Sequence, residues 1–146
     1  MEPWCGVAVE VRVNPEVSDN ALNALIGAAW NGLEVEEGIV RRLEKHSLAY
    51  LCAFEETKLV GFVNIAWDGN VHGFILDTTV HPEYQRRGVG TKLVEEAAAI
   101  AKDRGLEWLH VDYEEGLEPF YRACGFSPTK AGLIHLKGVN SEPSAE

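Results

Sequence analysis

The chain predicts an α/β fold built on a mixed, largely antiparallel sheet, and three patterns carry that expectation. Val7, Val9, Val11 and Val13 alternate with Ala8, Glu10 and Arg12, the period of two expected of a strand with one wet face. From Leu48 to Val80, apolar runs are divided by the turn sequences Glu55-Glu56-Thr57-Lys58 and Asp68-Gly69-Asn70, which reads as a three-stranded antiparallel meander. A helical stripe of Leu93, Val94, Ala97, Ala98 and Ala101 then leads to a strand over 107–112. Strand, helix, strand is a crossover that joins parallel neighbours, so the sheet must be mixed.

Each element has its own local cause. Ser18 or Asp19 caps a helix that carries Leu22, Leu25, Ile26 and Ala29 on one stripe, and Trp30-Asn31-Gly32 breaks it. A second helix spans about 34–46 through Ile39, Val40 and Leu43. The meander strands cover 48–54, 59–67 and 71–80. The next helix runs to about Arg104 and stops at Gly105. A short helix over about 117–124 ends at Gly125, with Pro119 suited to its first turn, and 133–136 adds a final strand. Residues 139–146, which end Ser-Glu-Pro-Ser-Ala-Glu, are expected to form a disordered tail behind a single domain over 1–138.

Composition narrows the function. With 13 basic against 23 acidic side chains the net charge is −10, which disfavours a nucleic-acid surface and favours cationic partners. No apolar run approaches the ~20 residues of a membrane span, and Glu2-Pro3 is no export signal, so a cytoplasmic protein is expected. Cys5, Cys52 and Cys124 lack the spacing of a zinc knuckle or redox pair, which predicts reduced thiols and no metal.

The most informative stretch is Val80-His81-Pro82-Glu83-Tyr84-Gln85-Arg86-Arg87-Gly88-Val89-Gly90-Thr91, where a strand breaks at proline, turns basic and glycine-rich, and opens a helix. A helix start leaves backbone N–H groups without partners and concentrates positive potential. Glycines let that backbone approach a phosphate closely, and Arg86 and Arg87 add charge. A pyrophosphate suits such a seat. A dinucleotide fingerprint would need glycine where Leu93 stands, and a Walker loop would need lysine directly after Gly90. The bland alternative is a plain strand-to-helix turn with solvated arginines.

Order and motif together are specific. Gln85-Arg86-Arg87-Gly88-Val89-Gly90 resembles the acyl-CoA signature of the GNAT N-acetyltransferase superfamily, and Phe120-Tyr121-Arg122-Ala123-Cys124-Gly125-Phe126 is similar to its second hallmark. The resemblance implies a sheet with helices on both faces whose fourth and fifth strands splay apart to admit pantetheine. It implies acetyl-CoA as cosubstrate, held by the backbone of Thr78, Thr79 and Val80 and by N–H groups from Gln85 through Thr91. It further implies that a neutral amine attacks the thioester directly, with Tyr121 as general acid toward the coenzyme sulfur.

Aligning the fifth strand of the superfamily's ribosomal-protein acetyltransferases, which carries a carboxylate, with Leu109-His110-Val111 puts His110 in the place of the base. Asp112, on the same face by period two, or Asp77, on the opposite arm, would orient His110 or bind the amine, and His72 is a weaker candidate base. Acceptor recognition falls to residues 30–36, where Trp30 beside Glu34 offers an ammonium seat. A small-molecule amine and a protein amino group both fit, and a homodimer is common among such proteins. One departure concerns the loop Asp112–Leu117, which lacks the family's asparagine and is about one residue short. The rival functions are a non-catalytic acyl-CoA-binding module and a plain interaction domain.

Overall fold

The computed structural model describes residues 8–31 and 34–137. Val7 of the first strand, Cys5, Gly32, Leu33 and the tail 139–146 lie outside the described residues. The elements run β1 (Val9–Val13), α1 (Asp19–Ala29), α2 (Ile39–His46), β2 (Ser47–Glu55), β3 (Lys58–Trp67), β4 (His72–Val80), α3 (Val89–Asp103), β5 (Trp108–His110) and α4 (Glu118–Ala123). The five strands form one sheet in sequence order, antiparallel except for the β4–β5 pair.

Helices cover both faces. On one face α3 buries Val89, Leu93, Ala97 and Ala101 against Leu51, Ala53, Val63, Ile65 and Ile75. On the other, Leu22 and Leu25 of α1 and Ile39 and Leu43 of α2 pack on Tyr50, Cys52, Phe54 and Phe62. Each large apolar side chain among these contributes about 1.5–3 kcal/mol of burial. Gly61 of β3 admits α3, since a Cβ there would lie 2.9 Å from Leu93 and 3.1 Å from Val89.

Several boundaries differ from expectation for physical reasons. Ser18 caps α1 by accepting from the Ala21 N–H at 3.0 Å, whereas Asp19 accepts from the Val40 N–H at 2.9 Å and so ties α1 to the start of α2. Helix α2 begins at Ile39, not near 34, because Gly38 takes φ +74° and the backbone of Glu36 is bound at both N and O by the Asn23 side chain. Strand β5 keeps only three residues, since its pairing ends at His110. The strand expected over 133–136 is absent. With a three-residue neighbour there is little ladder to join, and Leu133, Ile134 and Leu136 are each 82% exposed.

Candidate functional site at the fork between β4 and β5

Strand β4 is paired with β3 as far as Val80 opposite Gly61, but with β5 only over 72–74. Its edge from Ile75 to Val80 therefore faces an opening where the strands part. Within this stretch β4 carries a bulge: Phe62 pairs Thr79 while Asn64 pairs Leu76, and Asp77 takes the left-handed φ of +62°. The extra residue re-aims the end of the strand. Thr79 turns toward α1, where its hydroxyl accepts from Trp30 Nε1 at 3.3 Å and donates to the Asp77 carbonyl at 2.8 Å.

The opening ends in the glycine–arginine loop. A single 3-10 turn over Pro82–Tyr84 leads to Gly88 at φ +84°, which caps α3. The first backbone bond of α3 runs from the Lys92 N–H to Gly88 O at 3.0 Å, so the N–H groups of 86–91 have no acceptor among the described residues. Arg86 also has positive φ, and Arg87 lies 5.5 Å over the Tyr84 ring. Tyr84 is anchored by a hydrogen bond to Glu55. Gln85 Nε2 donates to Val80 O at 3.0 Å, closing the loop onto the strand. Amides without acceptors among the described residues thus line one helix start that two arginines precede in the chain, a seat for an anion.

Across the opening stands α4. Tyr121 is buried between Tyr113, stacked at 5.0 Å, and the edges of Phe120 and Phe126 at 4.8 and 5.8 Å. Burial raises its hydroxyl above the usual phenol range, more than the nearby Thr78 hydroxyl lowers it, so the proton is kept at neutral pH. Thr78 Oγ1 is buried with no hydrogen-bond partner among the described residues, which leaves a polar atom inside the fork unsatisfied. Gly90 completes this wall: a Cβ there would meet Phe120 at 3.4 Å and Val80 at 3.5 Å.

His110 sits on the other side of the sheet. The neighbouring Gly73 faces Leu106, Leu109 and Ile65 on the α3 side, so His72 and Phe74 project from the α1/α2 face, and Phe74 stacks on His110 at 4.7 Å. As the last residue of β5, His110 marks the point where the strands part. Its polar neighbour is neither Asp77 nor Asp112, as expected, but His72, with Nδ1 2.8 Å from His110 Nε2. Asp112 lies beyond the strand's end, where alternation no longer sets its direction. Asp77 is engaged elsewhere: its carboxylate accepts from Asn64 at 3.5 Å and from Arg42 at 3.4 Å.

Arg42 is also bound by Glu36 through two bonds, of 2.7 and 3.0 Å, and that pairing, led by Glu36, raises its pKa. Trp30 is half exposed at the end of α1, and Glu34 is exposed. Asn64, Arg42 and the bulge were not singled out by the sequence patterns. Asn64, almost fully buried and bonded to Ser47, did leave a trace: it is the polar residue inside the apolar run Leu59–Trp67. Cys124 is half-buried and its thiol pKa is raised by burial, which suits packing better than nucleophilic attack.

Comparison with known proteins matches this architecture. The model of the acetyltransferase (GNAT) family matches residues 19–126. A mycothiol acetyltransferase of Mycolicibacterium vanbaalenii is 28% identical over 111 residues, which are 76% of this chain and 36% of that protein. The chain thus spans little more than a third of that relative. A GNAT-family acetyltransferase of Streptococcus pneumoniae superposes with a TM-score of 0.70 at 26% identity, over 89% of this chain and 100% of that one. Glucosamine-6-phosphate N-acetyltransferase of Arabidopsis thaliana shares the fold, with a TM-score of 0.74 at 21% identity over 89% and 99% of the two chains. So does an aminoglycoside N-acetyltransferase solved in complex with CoA, with a TM-score of 0.73 at 17% identity over 91% and 97%.

Proposed function

We propose, for a chain that belongs to the GNAT acetyltransferase family, that it moves an acetyl group from acetyl-CoA to a primary amine by direct attack in a ternary complex. The observation that carries this reading is the fork itself: a β4 edge, unpaired among the described residues from Ile75 to Val80, that ends in a loop whose amides 86–91 have no acceptor among those residues. An extended pantetheine arm suits an unpaired strand edge, where Thr78, Thr79 and Val80 offer backbone partners. The pyrophosphate suits the amides from Gln85 through Thr91, with Arg86 and Arg87 beside them.

Two residues flank the fork from opposite faces of the sheet. His110 takes a proton from the acceptor ammonium, which frees the lone pair for attack on the thioester carbonyl. Tyr121, with its proton retained by burial, gives that proton to the departing thiolate. No covalent enzyme intermediate is needed. The acceptor lies on the α1/α2 face, where Phe74 and Leu76 are 37% and 40% exposed, with Trp30 at the end of α1, Glu34 in the connection that follows and Asp77 at the β4 bulge as its recognition residues, whereas Asp112 acts on the Tyr121 hydroxyl. Arg42 already pairs with both Glu36 and Asp77 and leaves the trio only one net negative charge, which favours an amine with an apolar body over a polycation.

Calorimetric titration with acetyl-CoA, followed by a screen of amines for CoA release, tests the reading. Micromolar binding and release with an arylalkyl amine are expected. No binding at millimolar coenzyme removes the proposal, and binding without release for any amine leaves only an acyl-CoA-binding module.

A further inference from the structure

His72 takes no part in the proton transfers to and from His110 and Tyr121, yet it makes the most specific contact on the acceptor face. Its Nδ1 lies 2.8 Å from His110 Nε2, with the rings 5.1 Å apart and tilted by 39°. The two residues are 38 apart in the chain and meet only through the parallel register, which sets His72 opposite Trp108 and Phe74 opposite His110, so the imidazoles are diagonal neighbours. The pair is held from both ends. Asp68 accepts from the His72 backbone N–H at 3.1 Å and from the Asn70 N–H at 2.8 Å, which fixes the β3–β4 turn. Phe74 stacks on His110 within 23° of parallel.

An N–H···N bond needs one donor and one acceptor, so its direction decides what the outer nitrogen of His110 can do. If His72 donated, His110 would carry its own proton on Nδ1 and have no lone pair for an ammonium proton. If His110 Nε2 donates, Nδ1 is a lone pair and the ring is poised as a base. We propose that His72 is the positioning residue for His110: it accepts the Nε2–H, fixes the tautomer that leaves Nδ1 free, and stabilises the imidazolium formed when Nδ1 takes the proton. The proton balance is simple. The ammonium loses one proton to His110 Nδ1 and the amine attacks; the second proton, shed by the nitrogen as the amide forms, returns through water to the Tyr121 oxygen that has protonated the thiolate, and the exposed imidazolium gives its own proton to water after the amide leaves. This rests on the reading of His110 as the base, but the bond's direction is measurable without turnover.

Long-range ¹H–¹⁵N correlation spectra of the histidine-labelled full chain should place the His110 proton on Nε2, with a scalar coupling across the hydrogen bond to His72 Nδ1. A His110 protonated on Nδ1, or no coupling, overturns the proposal whatever the chain acetylates. In turnover, His72→Leu should lower kcat about tenfold with the Kd for acetyl-CoA unchanged, as loss of a bond to a group that becomes charged implies. His72→Asn places Oδ1 where Nδ1 was and should restore kcat to within about threefold. Equal kcat for the Leu and Asn variants would make His72 structural and overturn the assignment. A chain that binds no acetyl-CoA but shows the coupling would instead refute the acetyltransfer reading and keep the dyad.

Discussion

Strands β2 and β3 lie beside β4 in one sheet, yet the two regions are made differently. All residues from Leu48 to Phe54 of β2 and from Val60 to Ile65 of β3 are buried, because α3 covers one face and α1 with α2 covers the other. Along β4 burial alternates, and in β5 Trp108 is 58% exposed. Volume decides which side chain fits where both faces are covered. An open face leaves side chains free to serve chemistry, and there the two histidines, Phe74 and Leu76 gather. Substitutions in the centre should therefore register as lost stability, and those at the fork as lost turnover.

The largest contrast should come from two phenylalanines. Phe62 is fully buried, so Phe62→Ala should cost about 3–5 kcal/mol in urea denaturation. Phe74 is 37% exposed, and Phe74→Ala should cost less than about 1.5 kcal/mol. Equal losses would erase the distinction between centre and fork. Tyr121→Phe sharpens it from the other side. The ring contacts to Tyr113, Phe120 and Phe126 survive, so stability should change little, whereas kcat should fall at least about 100-fold with unchanged coenzyme affinity. Full turnover in this variant would take the general-acid role from Tyr121.

Legibility in the amino-acid sequence divides along the same line. Val9 to Val13, the meander and the stripe of α3 speak through local periodicity, so the central sheet and its helices could be read directly. The glycine–arginine loop and Tyr121 were legible because a helix start and a motif are also local. The His72–His110 bond was not, since it depends on a parallel register between residues 38 apart. Nor was the Asp77 bulge, because the sequence 71–80 reads as unbroken strand and the extra residue appears only when its partners on β3 are known. The strand expected over 133–136 failed for the related reason that an apolar run needs a neighbour to pair with.

The centre should also govern the alkaline limit of stability. Burial pushes the Cys52 thiol up from 9.0 to about 12, so between those values the fold keeps a proton that the unfolded chain has lost. Stability is then full below about pH 9 and declines as pH rises toward 12, by about 2–3 kcal/mol at pH 11 at 1.36 kcal/mol per unit. Tyr50 and Tyr121, also raised by burial, add to the decline with the same sign. Denaturation midpoints measured from pH 8 to 11 should show this fall, and Cys52→Ala should flatten it. An unchanged slope would mean that the thiol ionises in the fold as easily as in the open chain.

The finest test sets two glycines against each other. At Gly61 an added Cβ would lie 2.9 Å from Leu93, 3.1 Å from Val89 and 3.2 Å from Ala53, so Gly61→Ala must displace the buried Leu93 side chain and should cost about 1–3 kcal/mol of stability with coenzyme affinity intact. At Gly90 the same atom would meet Phe120 and Val80 at 3.4–3.5 Å, which the fold accommodates. Alanine is moreover the better helix former by about 1 kcal/mol, so Gly90→Ala should leave stability level or slightly raised. The methyl would nevertheless touch both Val80 and Phe120 at the start of α3, where the proposed path of the coenzyme runs from the β4 edge to the amides of the loop. Acetyl-CoA affinity should therefore fall about tenfold, ~1.4 kcal/mol by titration. If Gly90→Ala binds acetyl-CoA like the parent chain, the coenzyme does not pass between Val80 and Phe120, and the fork loses its claim to the pantetheine arm.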